Sequence, residues 1–342
     1  MSTKITAVNP DFLEFDRTMG MTVMEGRGFY YPVDAAVGKN DRLYVISRSK
    51  EEATRGIRVT MCDVDSGYFG NFGSFGRDAG QFVWPCGGAV DGQGRVFISD
   101  EKLHRITMYD DSGAYLSHWG TTGSGDGELD TPSGLAFDAE NNLYVSDTYN
   151  NRVQKFTPEG RFLSGFGAEG ELNLPWGLTV GSDGNVYVAD WGNDRIKKFS
   201  PQGDLLGSYG ASGDGDGEFQ RPSSVAVDGD GYMYVADWGN ERIQVLDPQG
   251  DFVMKSRGQA TLSEWAENFL SINVEEAAAR ATANLDSEID FFVTTPHEES
   301  SHIEKYFWSP VSVKLDSQGL LYVTETNRHR IQVFKRSDKY SG

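Results

Sequence analysis

Short runs of alternating apolar and polar residues recur along this chain, and one pattern of this kind returns five times. Each copy has an apolar strand, a polar turn with an acidic residue, and a second strand that begins at an arginine. The copies are VFISDEKLHRITMY from Val96, LYVSDTYNNRVQKF from Leu143, VYVADWGNDRIKKF from Val186, MYVADWGNERIQVL from Met233 and LYVTETNRHRIQVF from Leu321. Their arginines are 47, 43, 47 and 88 residues apart. Internal repeats of such a period indicate a repeat architecture.

Each unit predicts four short strands. In the unit of Leu143, a proline-led segment (132–138) gives the first strand, and residues 143–146 give the second. Residues 152–156 form the third, and a Pro-Glu-Gly turn leads into the fourth at 161–166. One such sheet cannot bury both of its faces. Six sheets around an axis can, so the pattern favours an all-β, six-bladed β-propeller.

The two ends of the chain predict how the ring closes. A sixth unit lies upstream, where RVTMCD from Arg58 echoes RITMYD from Arg105, behind a strand at 43–46. The last unit ends near Phe334 without a fourth strand, whereas residues 11–15 resemble a fourth strand without a unit. We therefore expect the N-terminal strand to complete the sixth blade, which removes an exposed sheet edge. The whole chain, 1–342, is predicted to be one domain.

Composition excludes several classes of partner. The net charge of −20 and the pI of about 4.6 oppose a phosphate backbone, so we expect no nucleic acid partner. No run approaches the roughly 18 apolar residues of a membrane span, and the first residues do not resemble a signal peptide. Cys62 and Cys86 have neither metal-binding nor redox spacing. These features predict a cytoplasmic protein that binds no membrane.

The repeat resembles a known family. The pattern D-x-x-N-x-R-[IV] occurs at 147–153, 190–196 and 237–243, behind proline-led strands, and Gly-Asp-Gly-Glu connections start at Gly125 and Gly215. These features resemble NHL repeats over nearly the whole chain except about 259–308. The resemblance implies an NHL-type propeller. Members of that family include scaffolds that bind protein or RNA, and enzymes such as the peptidyl-hydroxyglycine amidating lyases, so the fold alone does not settle the function.

Two insertions interrupt the repeat, and in such propellers both would emerge on the face that carries the functional site. The first, at 47–58, adds Arg48, Lys50, Glu51, Glu52 and Arg55. The second, 259–308, lies between blades five and six. Ser263 is predicted to cap a helix through Leu270, and Asn273 a helix through Arg280. We expect a helical lid, with an inert surface elaboration as the alternative.

Residues that every blade shares are expected to serve the blade. An acidic residue precedes the repeat arginine by five positions in each copy, and we interpret it as a turn residue and ion-pair partner. These residues are Asp100, Asp147, Asp190, Asp237 and Glu325.

Departures from the repeat are the candidates for chemistry. By resemblance to the amidating lyases, Arg48 corresponds to an active-site arginine, His104 to a zinc ligand and Tyr149 to a catalytic tyrosine. The other two zinc histidine positions hold Trp176 and Val311 here. We therefore predict no three-histidine zinc, whereas calcium on backbone carbonyls would leave no mark in the sequence. His104 stays open as a general base, a structural histidine or a ligand completed by the lid.

The remaining candidates are histidines of the lid and aromatic residues of the loops. His297 and His302 lie in HEESSH, which has one residue more than the zincin motif HExxH and so fails as that motif. We interpret them as solvent-exposed histidines of the lid, with a ligand-binding position at the pocket mouth as the alternative for either. Another substrate-binding arginine position of the lyases is held here by Trp191. An apolar wall for a ligand is predicted from Cys86, Trp176, Trp191 and Trp238.

Together these features predict a propeller that binds a small molecule in a lidded axial pocket, with lyase or hydrolase activity. Arg48 would hold an anionic or carbonyl oxygen, and His104 and Tyr149 would transfer protons. The alternative is a protein-interaction scaffold that uses the same face without catalysis, with the tryptophans as its contact residues.

Overall fold

Six four-stranded antiparallel sheets form the computed structural model of this chain, as predicted. The structure describes residue 9 and residues 11–49, 54–168, 170–286 and 295–340. Blades one and two contain β2 (Pro32–Val37), β3 (Arg42–Ser47), β4 (Arg58–Asp63), β5 (Tyr68–Phe72), β6 (Pro85–Val90), β7 (Val96–Asp100), β8 (Arg105–Tyr109) and β9 (Tyr115–Trp119). Blades three and four contain β10 (Pro132–Phe137), β11 (Leu143–Asp147), β12 (Arg152–Phe156), β13 (Phe162–Phe166), β14 (Pro175–Val180), β15 (Val186–Asp190), β16 (Arg195–Phe199) and β17 (Leu205–Tyr209).

The second half of the ring carries one extra strand pair. The connection after blade four holds the short parallel pair β18 (Ala211–Ser212) and β19 (Glu218–Phe219). Blade five contains β20 (Pro222–Val227), β21 (Met233–Asp237), β22 (Arg242–Leu246) and β23 (Phe252–Ser256). Blade six contains β24 (Pro310–Leu315), β25 (Leu320–Glu325), β26 (Arg330–Arg336) and, from the N-terminus, β1 (Leu13–Met19).

The N-terminal strand closes the ring, as the unmatched strand in the sequence predicted. β1 pairs antiparallel with β26, from Leu13 opposite Arg336 to Met19 opposite Ile331. The pairing gives blade six its fourth strand and covers the free edge of β26.

The core lies between neighbouring blades rather than within any one of them. Each connection between blades contributes one apolar side chain that is completely buried or nearly so, and together these form a ring: Phe29, Phe82, Leu129, Leu172, Phe219 and Phe307. Near the axis the inner strands approach so closely that a Cβ atom on Gly134 would lie 2.4 Å from the carbonyl oxygen of Trp176. A shared core of this kind makes the blades depend on one another.

The repeat acidic residue forms the predicted ion pair in three blades. The distances from arginine Nε to the carboxylate are 2.8 Å for Arg152–Asp147 and 2.7 Å for both Arg242–Asp237 and Arg330–Glu325. In blade two, within the described residues, Arg105 donates instead to the carbonyls of residues 77, 78 and 81. In blade four, Arg195 donates to the Asn193 carbonyl. For these two blades the ion-pair part of the prediction was wrong, and Nε of Arg105 is buried without a hydrogen-bond partner among the described residues. Asp100 and Asp190 still accept backbone N–H groups, as a turn residue should.

The described part of the second insertion contains three helices: α1 (Glu264–Ile272), α2 (Val274–Thr282) and α3 (Pro296–His302). Ser263 caps α1 as predicted, since its hydroxyl accepts from the Ala266 N–H at 3.2 Å. Asn273 does not cap α2 through its side chain, which donates to the Phe269 carbonyl and closes α1 instead. Within the described ranges, the helices are all too short or too polar to cross a membrane.

The first helix of the insertion lies at the outer rim, where blade six meets blade one. The Trp265 indole N–H donates to the Ser66 carbonyl at 2.8 Å, and its ring packs against Phe29 and Tyr68. Trp119, on the outer strand of blade two, makes the corresponding bond to the Pro158 carbonyl of blade three. At the junction of blades six and one, Trp265 thus makes the contact that Trp119 makes at the junction of blades two and three.

Candidate functional site

A narrow cavity runs along the axis of the ring. Its wall includes residues that directly follow the leading prolines of the blades: Val33, Cys86, Trp176, Ser223 and Val311. The cavity has a volume of about 20 Å³, which is room for about one water molecule. The cavity is therefore too small for an organic ligand. Its lining residues near the starts of the inner strands lie toward the face that carries the loops between second and third strands (the loop face), and we call that end of the cavity its mouth.

Charged groups line the axis itself. The Asp34 carboxylate is buried, accepts from the Gly88 N–H at 2.9 Å and from the Ser312 hydroxyl, and lies 3.4 Å from the Lys314 ammonium. Sequence reasoning missed this network. The signal was present, because Asp34 lies two residues after the leading proline of its blade, where the other blades have Gly or Ser.

Arg48 belongs to a connected cluster at the mouth. It directly follows β3, its Nη1 lies 2.7 Å from the Glu101 carboxylate, and its guanidinium stacks over the Trp84 ring at 5.0 Å. Cys86 lies close to this pair, since the Glu101 carboxylate contributes to the raised pKa of its thiol, and Cys86 lines the axial cavity. We call Arg48, Trp84, Cys86 and Glu101 the arginine cluster.

Burial controls the protonation of this cluster. It raises the pKa of the Glu101 carboxyl, although Arg48 and the Cys86 thiol act in the opposite direction. Burial also raises the pKa of the Cys86 thiol well above its ordinary value, with Glu101 adding to the effect. Cys86 is therefore a neutral thiol, unsuited to nucleophilic attack, and it contributes packing and a weak donor.

Glu101 is the residue of this cluster that sequence reasoning missed. It follows the repeat acid Asp100 at a position that the later blades fill with Thr or Trp: Thr148, Trp191, Trp238 and Thr326. Its side chain is only 5% exposed. The sequence does show a second acidic residue, Glu101, directly after the repeat acid of blade two. Only the fold shows that its carboxylate contacts Arg48.

Two of the predicted tryptophans lie together on blade four. Trp176 lines the axial cavity, and the centre of its ring lies 6.4 Å from that of Trp191. The Arg221 guanidinium lies over Trp191 at 4.8 Å from the ring centre. Trp238 occupies the corresponding turn of blade five, which α3 contacts. Trp176 thus links the axis to an aromatic surface on the loop face.

His104 occupies a position that holds neighbouring blades together. It has a left-handed backbone (φ 50°), and its Nδ1 accepts from the Thr131 N–H of the next connection at 3.1 Å. The equivalent residues of the later blades accept in the same way: Asn151 from Leu174, Asp194 from Arg221, Glu241 from Ser309 and His329 from Tyr31. This is the arrangement that the alternative of a structural histidine describes, and it uses Nδ1 of the ring rather than Nε2.

Tyr149 lies beside the same junction. Its side chain is 62% exposed, and its N–H donates to the Asp130 carbonyl at 3.2 Å. The Asp130 carboxylate in turn lies 3.3 Å from Nδ1 of His104. His104 and Tyr149 are therefore neighbours between blades two and three, and their described contacts do not reach the arginine cluster.

The two histidines of the insertion lie in different places. Nδ1 of His297 hydrogen-bonds to the buried Glu241 carboxylate, and its Nε2 accepts from the Trp308 indole at 3.1 Å. Burial raises the pKa of Glu241 despite the contact with His297. His302 instead lines a separate cleft of about 440 Å³ beside blade six. His297 thus attaches α3 to the junction of blades five and six.

Two family models match the sequence. Residues 56–214 match the SMP-30/gluconolactonase/LRE-like region, and residues 307–334 match the NHL repeat. The second match falls on blade six, in register with the repeat that closes the ring. These two matches and the six-bladed fold support the NHL-repeat propeller family that the sequence predicted. No curated protein matches its sequence significantly.

Solved structures resemble this NHL-repeat propeller in fold. Virginiamycin B lyase from Staphylococcus aureus is 11% identical with a TM-score of 0.55, and the match covers 95% of this chain and 100% of that one. A protein of unknown function from Bacteroides thetaiotaomicron is 20% identical (TM-score 0.61; 95% and 76% covered). A putative gluconolactonase is 14% identical (TM-score 0.58; 94% and 92% covered). At such identities the likeness concerns the fold alone.

The zinc site of the amidating lyases does not fit this NHL-repeat propeller. Nδ1 of His104 is engaged by a backbone N–H, and Trp176 and Val311 offer no ligand atoms at the other two positions. In the part of the chain that the structure describes, no three His, Cys, Asp or Glu side chains are grouped so that they could hold a metal ion.

Proposed function

We propose that this NHL-repeat propeller binds a small organic molecule at the axial mouth and acts on it as a lyase or hydrolase. One observation carries the proposal. The arginine cluster reaches the axial cavity through Cys86, and the aromatic surface of Trp176 and Trp191 reaches the same cavity from blade four. A charged group and an apolar wall at one concave opening are what a small-molecule site requires.

The arginine cluster suits an oxygen of the ligand. Arg48 is a quarter exposed, and Glu101 and Trp84 fix its guanidinium. Because its orientation is set before binding, Arg48 can hold a carboxylate or polarise a carbonyl at little entropic cost. Trp176 and Trp191 would pack on the apolar part of the ligand, with Arg221 at their edge.

Two groups are candidates for proton transfer. Glu101 has a raised pKa and hydrogen-bonds at the mouth, which suits a general acid or base. His104 with Tyr149 is the pair that the sequence suggested, through Nε2 of His104 and the exposed hydroxyl of Tyr149. The two candidates lie on different sides of blade two, so single substitutions separate them.

Turnover assays test the proposal. Quinupristin and a gluconolactone are the first substrates to assay, because the lyase and the putative gluconolactonase share this fold. Loss of a charged hydrogen bond costs about 2 kcal/mol, so Arg48→Ala should lower kcat/KM about 30-fold. The control is Arg161→Ala, at an exposed residue directly before the outer strand of blade three. Equal activity of Arg48→Ala and the control would contradict the proposed site.

A protein-interaction function on the same face is the second candidate. The small axial cavity and the 62% exposure of Tyr149 favour it, since both leave the contact surface open. In that case Tyr149→Ala and Trp191→Ala should weaken partner binding by about 1 kcal/mol or more each, as aromatic contact residues do. Arg48→Ala should have the smaller effect, because Glu101 already pairs with Arg48.

A further inference from the structure

A second cavity, away from the axis, lies between the insertion and the junction that closes the ring. It has a volume of about 440 Å³, which falls within the usual range of small-molecule sites. One wall comes from the insertion, including Ala266 of α1, Arg280 of α2 and His302 of α3. The other wall comes from residues 20–22 after β1 and from the β25–β26 turn at 327–330. We call this cavity the seam cleft.

Positive charge exceeds negative charge in the seam cleft. Among the described residues, its lining includes Arg280, Arg328 and Arg330 but a single carboxylate, Glu304. Glu304 lies 2.5 Å from Arg280, and Arg330 is paired with Glu325 outside the lining. A cationic cleft is unexpected by chance in a chain of net charge −20, and it attracts anions by long-range electrostatics.

Arg328 is a departure from the repeat that faces this cleft. Blades three to five have an asparagine at its position, for example Asn240, whose amide donates to the repeat acid Asp237. Nη2 of Arg328 donates instead to the carbonyls of residues 300, 301 and 303 at the end of α3. No carboxylate lies within ion-pair distance of Arg328 in the described ranges, and its Nε is buried without a hydrogen-bond partner. Its charge therefore has no direct ion-pair partner among these residues.

The rest of the lining suits the short apolar part of a small ligand. Met21, Leu262 and Leu285 contribute apolar surface, and His302 is exposed at the edge of the cleft beside Arg280. Arg280 is 29% exposed, so a ligand can reach its guanidinium. Polar and apolar groups thus meet on one concave surface.

We propose that the seam cleft binds a small organic anion, a carboxylate or phosphate on a short apolar body, and that Arg280 and His302 contact the anionic group. Arg280 exchanges its contact with Glu304 for the ligand, and the charge of Arg328 favours the same anion. Because the ligand touches both the insertion and the β25–β26 turn, its binding holds the closing junction together. This site is separate from the axial mouth and does not depend on the function proposed there.

Calorimetric titration of the full chain tests the proposal with benzoate, phenyl phosphate and benzamide, which share a ring and differ in charge. Benzoate or phenyl phosphate should bind at least about tenfold more tightly than benzamide, since a charged hydrogen bond is worth about 1.5 kcal/mol or more. Preference for one anion identifies carboxylate or phosphate as the natural group. The bound anion should also raise the melting temperature.

Two variants and a control locate the binding. Arg280→Gln should weaken the anion about tenfold and leave benzamide unchanged. Ala266→Phe, which fills the cleft from α1 without a change of charge, should remove binding of all three probes. Arg161→Gln, an exposed arginine on blade three, should match the wild type. Benzamide as tight as the anions, anion binding that either variant leaves intact, or no saturable binding up to about 10 mM would each overturn the proposal.

Discussion

Single residues in this propeller are explained best by comparison with the same position in other blades. Asn151, Asp194, Glu241 and the two histidines differ in sequence, yet all accept a backbone N–H from the next connection. From the sequence, His104 is a departure from the repeat, because the residue type at this position differs between blades. The shared feature, an acceptor atom for a backbone N–H, is visible only in the structure. Glu101 escaped notice for the opposite reason, since its partner Arg48 lies in another blade.

The position of His104 predicts the effect of two substitutions. His104→Ala leaves the Thr131 N–H without its acceptor, which should lower the free energy of unfolding by about 1–3 kcal/mol. His104→Asn restores the residue of blade three, supplies an acceptor and tolerates the left-handed backbone, so it should retain most of the stability. Urea unfolding of both variants measures the difference. Equal losses would show that the hydrogen bond contributes nothing.

Glu101 predicts a dependence of stability on pH. Its pKa is raised from 4.5 in the folded state, so the folded chain binds the proton more tightly than the unfolded chain does. The contribution of Glu101 is complete below that unfolded value and is lost as the pH rises through the folded pKa. Glu101→Gln lacks this term, so the stability of the wild type relative to the variant should fall as the pH rises above about 4.5. Urea unfolding at several pH values measures this difference, and an increase would contradict the pKa shift.

Among the elements, strands were easier to predict than the role of the insertion. The alternating pattern and the leading prolines place every blade, and the Ser263 cap places the start of α1. The position of α1 was not predictable in this way, because Trp265 meets the Ser66 carbonyl across 199 residues. Only comparison with Trp119 in the folded ring shows that Trp265 completes the closing junction.

Trp265 predicts that α1 stabilises the ring. Trp265→Ala removes a buried indole between blades six and one, which should lower the free energy of unfolding by about 3–5 kcal/mol. Trp265→Phe keeps an aromatic ring but loses the N–H donor. The free energy of unfolding of this variant should therefore lie between those of the wild type and of Trp265→Ala. Calorimetric melting temperatures give the order. An unchanged melting temperature for Trp265→Ala would show that α1 is only an inert elaboration.

At the scale of the whole molecule, ring closure could be predicted from the sequence, whereas the arrangement of residues at the axial mouth could not. The unmatched N-terminal strand predicted closure correctly, because a missing strand at one end and a surplus strand at the other have one simple solution. The sequence predicted Arg48, His104 and Tyr149 around one axial pocket, with Trp176 in its apolar wall. In the structure Trp176 and Cys86 line the axial cavity, and Arg48 pairs with Glu101. His104 and Tyr149 meet each other instead, at Asp130.

The most direct test of a single axial site is a double-mutant cycle on Arg48 and Trp176, measured as ligand affinity or kcat/KM with the first substrate found. If both side chains contact one ligand at the axial mouth, Arg48→Ala and Trp176→Ala should each weaken it, and their effects should be non-additive by about 0.5 kcal/mol or more. The pair Arg161→Ala and Trp176→Ala should be additive within that limit. Strict additivity of Arg48→Ala with Trp176→Ala, or the absence of any effect of Arg48→Ala, would contradict the account.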